Sequence, residues 1–469
     1  MKSRSALLAA VALAAAAGAF AATPSPSPAG LDPAAIAKID RIAQDQLKKT
    51  GAPSASIAVV REGQLAYTHA YGTANLERHL AATAEMQYSI GSISKQFAAS
   101  ALLLLAQEGK LSLDDKLARW FPDLTRANDV TVREILSMTA GYQDFWPEDY
   151  VMPTMMKATP ADAILTGWAR KPLDFEPGTK WQYSNTNYVI AGLIAEKASG
   201  GELFPFLQKR IFQPLGMSSV TNSDAAALPA NEPMRYQRFG LGPPRPAPKE
   251  GAGWMFAAGE LAMTAGDLAK WDISMINQTV LKPESYHEME TETLLKNGAG
   301  TRYGLGVSVS LVNGRRMISH GGEVSGFTAQ NAVYPDDKAA VVVLTNLDAS
   351  GASQEIANKI ADQVLFAPAT AEGPLAQARK IFAGLQHGKI DRALFTDNCN
   401  AYFTSTALHD LAASLKPLGQ PKSFIESSQG LRGGMTFHHY TVEAGGKTLS
   451  IITYTMADGK LEQYIVAAE

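Results

Sequence analysis

Ser92-Ile93-Ser94-Lys95 opens a run with helical apolar spacing, directly after Ile90-Gly91. At i and i+3 the two functional side chains share one helix face, so an amine can reach the hydroxyl. A serine hydroxyl becomes an effective nucleophile only when a base takes its proton, and a lysine stripped of solvent can be that base. A helix N-terminus adds partial positive charge and an orphan backbone N–H on which an oxyanion can develop. The same four residues also read as an ordinary N-cap followed by a solvated first-turn lysine. The tetrapeptide alone does not separate the two readings.

Two later clusters do. Trp181-Gln182-Tyr183-Ser184-Asn185 precedes a second helical pattern, and His320-Gly321-Gly322 ends a strand pattern. With this order go the flanking segments Gly109-Lys110-Leu111-Ser112-Leu113-Asp114-Asp115, Glu176-Pro177-Gly178, Pro214-Leu215-Gly216-Met217 and Gly326-Phe327. Together they resemble the serine β-lactamase, penicillin-binding and esterase superfamily, and within it the class C β-lactamase-like branch of esterases and D-aminopeptidases, over roughly residues 33 to 365.

The resemblance implies a serine hydrolase working without metal or organic cofactor on a small-molecule or short-peptide substrate: an ester, a D-amino-acid peptide or a related amide. Ser92 would form the acyl-enzyme and Lys95 would accept its proton. Tyr183, kept partly deprotonated by nearby positive charge, would shuttle protons to the leaving group and activate the deacylating water. Asn185, His320, Gly321 and Gly322 fall at substrate-binding positions, with Asn185 also orienting Lys95. The backbone N–H groups of Ser92 and Glu323 would form the oxyanion hole.

The third cluster departs from the lysine-threonine-glycine form of β-lactamases and penicillin-binding enzymes. His320 is mostly neutral near pH 7 if unperturbed, and Gly321 offers no hydroxyl. Losing a charge-assisted hydrogen bond to a substrate carboxylate costs roughly 1.5–3 kcal/mol, which predicts weak or absent β-lactam hydrolysis. A D-Ala-D-Ala carboxypeptidase is disfavoured for the same reason. A binding protein for peptidoglycan fragments or β-lactams on this scaffold is the alternative of another class, though it has no need for Ser92, Lys95, Tyr183 and Asn185 together. Met138, where relatives usually carry a histidine, reads as core filler. Trp146, Trp168, Trp254 and Phe256 are candidates for an acyl pocket, or for simple packing.

The elements that must position these groups follow from periodicity. A helix over 33–49 precedes strands at 56–60 and 64–71, joined at Glu62-Gly63. Helical patterns dominate from 92 to 270, and the period returns to strand at 306–312, 316–319, 327–334 and 339–344 before a helix at 354–365. This predicts an α/β (α+β) unit over 32–366: one antiparallel sheet, flanked by helices, whose N- and C-terminal strands pair around an all-helical insertion at about 110–265. A small α+β unit follows at 374–469, with a helix at 375–385, an irregular stretch, and strands at 423–428, 435–443, 448–455 and 461–467. It resembles the curved-sheet cone of nuclear-transport-factor and ketosteroid-isomerase relatives, with a lipocalin-like half barrel as the alternative. It reads as an accessory that shields the site, binds a partner or supports a homodimer.

Of the 469 residues, 46% are hydrophobic and 19% charged, the composition of a folded globular chain. A net charge of −3 without a polybasic block points to neither nucleic acid nor an anionic membrane as partner. Lys2 and Arg4 ahead of an apolar run from Ala6 to Ala19 predict a cleavable signal peptide over 1–22, then a Pro/Ser linker over 23–31 and a periplasmic or secreted location. No later segment is apolar over the ~20 residues that span a bilayer, so no membrane insertion is expected after cleavage. Cys399 is the single cysteine, which excludes an intramolecular disulfide, and the histidines show no metal-ligand spacing.

Overall fold

The computed structural model describes residues 30–148, 150–366, 373–456 and 459–468, so the expected signal segment and nearly all of the linker lie outside the described residues. Helix α1 (Pro33–Thr50) starts where the Asp32 side chain accepts a hydrogen bond from Ala35 N, and it stops at Gly51, whose φ of 75° closes the last turn. Strands β1 (Ser54–Arg61) and β2 (Gln64–Asn75) form a hairpin and β3 (Leu80–Ala81) extends its edge. The chain then leaves the sheet and returns as β4 (Ser308–Val312), β5 (Arg315–Val324), β6 (Phe327–Tyr334) and β7 (Ala339–Thr345). The order is β3-β2-β1-β7-β6-β5-β4. β1 and β7 pair antiparallel, with Ala55 opposite Thr345, so the first and last strands meet at the centre of one sheet.

That sheet is covered on both faces, which is why its central strands read as continuous apolar runs rather than alternating ones. Ala58, Val60, Val342 and Leu344 face one core, packed by α2 (Ser94–Gln107), α3 (Asn185–Ser199) and α4 (Ala265–Asn277). Ile57, Val59, Val341 and Val343 face a second core with α1 and α5 (Ala352–Ile360). Helix α2 is buried without a break from Ser94 to Leu105, where a one-sided stripe would leave a wet face. Residues between β3 and β4 are mostly helix and turn. They also carry short strands, of which Leu261–Met263 pairs with both Tyr88–Ser89 and Thr221–Asn222. These are too short to leave a period in the sequence.

The second unit begins with α6 (Pro374–Leu385) and ends in four strands, β8 (Ser423–Arg432), β9 (Met435–Ala444), β10 (Lys447–Thr455) and β11 (Leu461–Ala468), paired in sequential order. Two helices, Asp397–Tyr402 and Ser405–Leu415, occupy the stretch read as irregular from sequence. Thr396 and Thr404 cap them. They are held by a separate core of Phe382, Phe395, Tyr440, Ile451 and Tyr464, in which Cys399 is buried. Among the described residues no helix is long and apolar enough to cross a membrane.

Candidate active site

Ser92 does not lie in the α-helix itself. It occupies a 3₁₀ turn, Gly91–Ile93, and α2 begins at Ser94. The turn is shaped by two glycines. Gly91 has φ 51°, and a Cβ on it would lie 2.7 Å from Glu323 N; a Cβ on Gly322 would lie 1.9 Å from Ile90 O. Both contacts are impossible for a side chain, so strand β5 presses directly onto the turn that carries Ser92. The first of these contacts puts Glu323 N, on β5 two residues before the turn to Phe327, against the Ser92 turn. An oxyanion-hole donor would stand at this place.

Lys95 is fully buried. Its Nζ lies 2.9 Å from Ser92 Oγ, 2.8 Å from Asn185 Oδ1 and 2.7 Å from Ala258 O. Two of these partners are carbonyl oxygens, which only accept. An ammonium donates to all three, whereas the neutral amine gives its two N–H groups to the carbonyls and leaves its lone pair aimed at Ser92. Burial favours that neutral form: desolvation lowers the lysine to about 7, against a smaller opposing pull from the Asp144 carboxylate. The rings of Tyr183 and Tyr188, 5.0 and 5.6 Å from Nζ, supply the aromatic walls.

Tyr183 stands beside Ser92, but the expectation of a partly ionised phenol is not met. Burial raises its pKa well above the ordinary value of 10, and only the facing Ser92 hydroxyl draws it down. Its Oη is buried without a formed hydrogen bond among the described residues. With Lys95 itself near neutrality, little positive charge is available to hold a phenolate, so the resting Tyr183 is a proton donor.

His320 is also placed differently from expectation. Its ring is buried: Nδ1 lies 2.6 Å from the Gly321 carbonyl, which can only accept, so Nδ1 carries the proton and Nε2 accepts from Tyr303 Oη at 3.0 Å. Desolvation, then the neighbouring Lys95, lowers its pKa to about 4, opposed weakly by the Gly321 carbonyl. With both nitrogens engaged and the ring outside the cavity lining, His320 has no free edge for a substrate. Neither Gly321 nor Gly322 lines the cavity: Gly321 lies exposed on β5, where a Cβ would meet nothing closer than Gln330 Oε1 at an ordinary 3.5 Å, and Gly322 is packed against Ile90, where the missing Cβ lets the strand approach.

Several positioning groups have no signature in the sequence. Asp144 Oδ1 accepts from Asn185 N at 3.0 Å and Asn185 Nδ2 at 3.2 Å, which fixes the Asn185 amide with its oxygen toward Lys95. Asp144 thereby also caps α3 in place of Ser184, whose side chain makes no capping bond. Met138 is more than filler: its sulfur meets Ser184 N at 3.4 Å and Asn187 Nδ2 at 3.6 Å, holding the Tyr183–Asn185 segment from beneath. Gln96, next to Lys95, donates to Asn331 Oδ1 at 3.0 Å; the same oxygen accepts from His320 N at 3.2 Å, tying α2 to β5. Trp168, Trp254 and Phe256 pack with Phe145 in a separate cluster, whereas Trp146 does reach the cavity wall.

Ser92, Tyr183 and Asn185 open into a cavity of about 490 Å³. Among the described residues four carboxylate side chains line it, Asp144, Glu148, Glu323 and Asp348, against one basic side chain, Arg238.

Residues 39–366 match the family model described as Beta-lactamase. The chain belongs to this family. A D-aminopeptidase of Brucella anthropi is 27% identical over 322 residues, 67% of this chain and 60% of that protein, and one of Brucella canis is 28% identical over 323 residues with the same coverage. The chain thus spans about 60% of the length of the curated relatives it matches. A D-stereospecific amidohydrolase from Streptomyces sp. superposes with a TM-score of 0.60 at 25% identity, over 69% of this chain and 97% of that one. The D-amino acid amidase of Ochrobactrum anthropi SV3, complexed with D-phenylalanine, gives 0.63 at 25% identity, over 71% and 98%. An octameric penicillin-binding protein homologue from Pyrococcus abyssi shares the fold over 92% of this chain and 99% of its own, with a TM-score of 0.63 at 22% identity.

Proposed function

We propose that this β-lactamase-family chain is an exported serine amide hydrolase that acts on small D-amino-acid amides or short peptides through an acyl group carried on Ser92. The observation that carries the reading is the fully buried Lys95, 2.9 Å from Ser92 Oγ and lowered to about 7, with its other contacts assigned to carbonyls. A protein that only binds has no use for a desolvated lysine held against a serine.

In the reaction, neutral Lys95 takes the Ser92 proton as Oγ bonds to the scissile carbonyl carbon, and the resulting oxyanion faces Ser92 N–H and Glu323 N–H. Tyr183, protonated and on the cavity wall beside Ser92, hands a proton to the departing nitrogen as the C–N bond breaks, and is restored from Lys95. Water then attacks the acyl-enzyme by the reverse proton route, returning Ser92 to its hydroxyl form. Esters pass through the same intermediate.

The acidic lining supports a substrate with a cationic amine near the scissile bond, the chemistry named for the D-aminopeptidase and D-amino acid amidase relatives. It opposes the carboxylate of a β-lactam or a D-Ala-D-Ala terminus, and the neutral His320 supplies no charge to hold one. The basic and apolar N-terminal residues 1–22 support export to the periplasm or beyond.

The test pairs intact mass after fluorophosphonate treatment with kcat/KM for D- and L-phenylalanine amide. A single adduct on wild type, absent from Ser92→Ala, and a D preference are expected. No adduct on folded wild type returns the chain to a binding role, and an L preference or a cephalosporin turned over faster than a short acyl ester overturns the substrate assignment.

A further inference from the structure

A second cavity lies away from Ser92 and shares none of its lining. It is an open cleft of about 910 Å³ between the 292–316 region of the main unit and the four-stranded sheet of the second. Among the described residues three guanidinium groups line it, Arg302, Arg316 and Arg432, against one carboxylate side chain, Glu292. Arg316 is neutralised by Glu290 at 2.7 Å. Arg432 donates to Tyr454 Oη at 2.9 Å and keeps its charge unpaired among the described residues. Arg302 is the most available: its guanidinium makes no ion pair or hydrogen bond among the described residues, and its backbone has φ 55°, a conformation costly for a side-chain-bearing residue. That backbone is held by Arg302 N to Glu292 Oε2 at 2.9 Å and Val309 N to Arg302 O at 2.8 Å.

On the opposite wall Gly430 faces Arg302, a Cβ there lying at an ordinary contact distance of 3.5 Å from Nη2, and Phe437 and Tyr454 pack with ring centroids 5.6 Å apart. Ser310 Oγ and Gln429 Oε1, both on the cleft wall, are buried without a hydrogen-bond partner among the described residues. Unpaired guanidinium, the orphaned Ser310 hydroxyl, which can donate, and an aromatic wall together make a receptor for an anion with an attached ring or apolar group; the Gln429 oxygen only accepts and takes no part in holding it.

We infer that this cleft binds a small oxyanion ligand, a carboxylate or a phosphate ester bearing an apolar or aromatic portion, with Arg302 and Arg432 as its charge partners. Calorimetric titration of the full mature protein with phenyl phosphate, phenylacetate, inorganic phosphate and benzyl alcohol tests it. Phenyl phosphate or phenylacetate should bind wild type and Ser92→Ala alike, and more tightly than inorganic phosphate. Arg302→Gln and Arg432→Gln, checked for folding by circular dichroism, should each weaken binding about tenfold or more, and benzyl alcohol should give no heat. The tighter of the two ring-bearing anions assigns phosphate or carboxylate. Absence of binding by both up to about 10 mM, binding unchanged in both arginine variants, or binding lost in Ser92→Ala would each overturn the inference.

Discussion

Asp144→Asn isolates the electrostatic control of Lys95. The Asp144 carboxylate favours the ammonium, so removing its charge lowers Lys95 further, while the isosteric amide still offers an oxygen to Asn185 N and Trp146 N. At its ordinary 10.5 a lysine is neutral at pH 7 in about one molecule in three thousand, whereas at about 7 it is neutral in about half. Burial thus supplies the base in about a thousandfold larger fraction, and Asp144 trims that gain. The assay is kcat/KM against pH for a p-nitrophenyl acyl ester lacking an amine, so that only the enzyme titrates. Wild type should rise with pH through a single proton loss near 7. Asp144→Asn should shift that limb downward by about half to one pH unit, with the plateau reduced less than about tenfold. Lys95→Met should lose at least about a thousandfold. An acid limb that stays in place or moves upward in Asp144→Asn, or a Lys95→Met enzyme with the wild-type pH profile, would refute the assignment of Lys95 as the base.

Gly322→Ala places a methyl 1.9 Å from Ile90 O and forces β5 off the Ser92 turn; fluorophosphonate labelling should slow by about a hundredfold, the loss of one oxyanion donor. Unchanged labelling in that variant would separate Glu323 N–H from the chemistry. His320 has a folded pKa of about 4 below its ordinary 6.5, so its contribution is present above pH 6.5 and lost as pH falls toward about 4. The urea stability gap between wild type and His320→Gln should therefore shrink between pH 7.5 and 4.5, and a gap independent of pH contradicts a buried neutral imidazole. Cys399 is buried and its thiol is raised to about 11, so a thiol reagent should find nothing in the native protein at pH 8 and one thiol in urea.

The sequence carried what local geometry settles. The i, i+3 spacing of Ser92 and Lys95, the Glu62-Gly63 turn and the apolar strand runs are short-range patterns, and the structure keeps each of them. Even the pairing of the first and last strands followed from strand patterns at both ends of a helical segment. Helices 397–402 and 405–415 escaped because they are short and owe their order to a shared core rather than a strong period.

What the tertiary structure alone decided is the state of the reacting groups. Burial of Lys95, the Ala258 carbonyl 163 positions away, the Asp144 carboxylate 41 positions before Asn185, and the Tyr303 hydroxyl on His320 are long-range contacts with no spacing to read. They turned a tyrosine expected to be partly ionised into a phenol, and a histidine expected to meet substrate into a buried strut. Chain spacing determines which side chains share a turn, but protonation depends on the solvent and charge surrounding a group on every side, and only the folded packing of distant segments sets those.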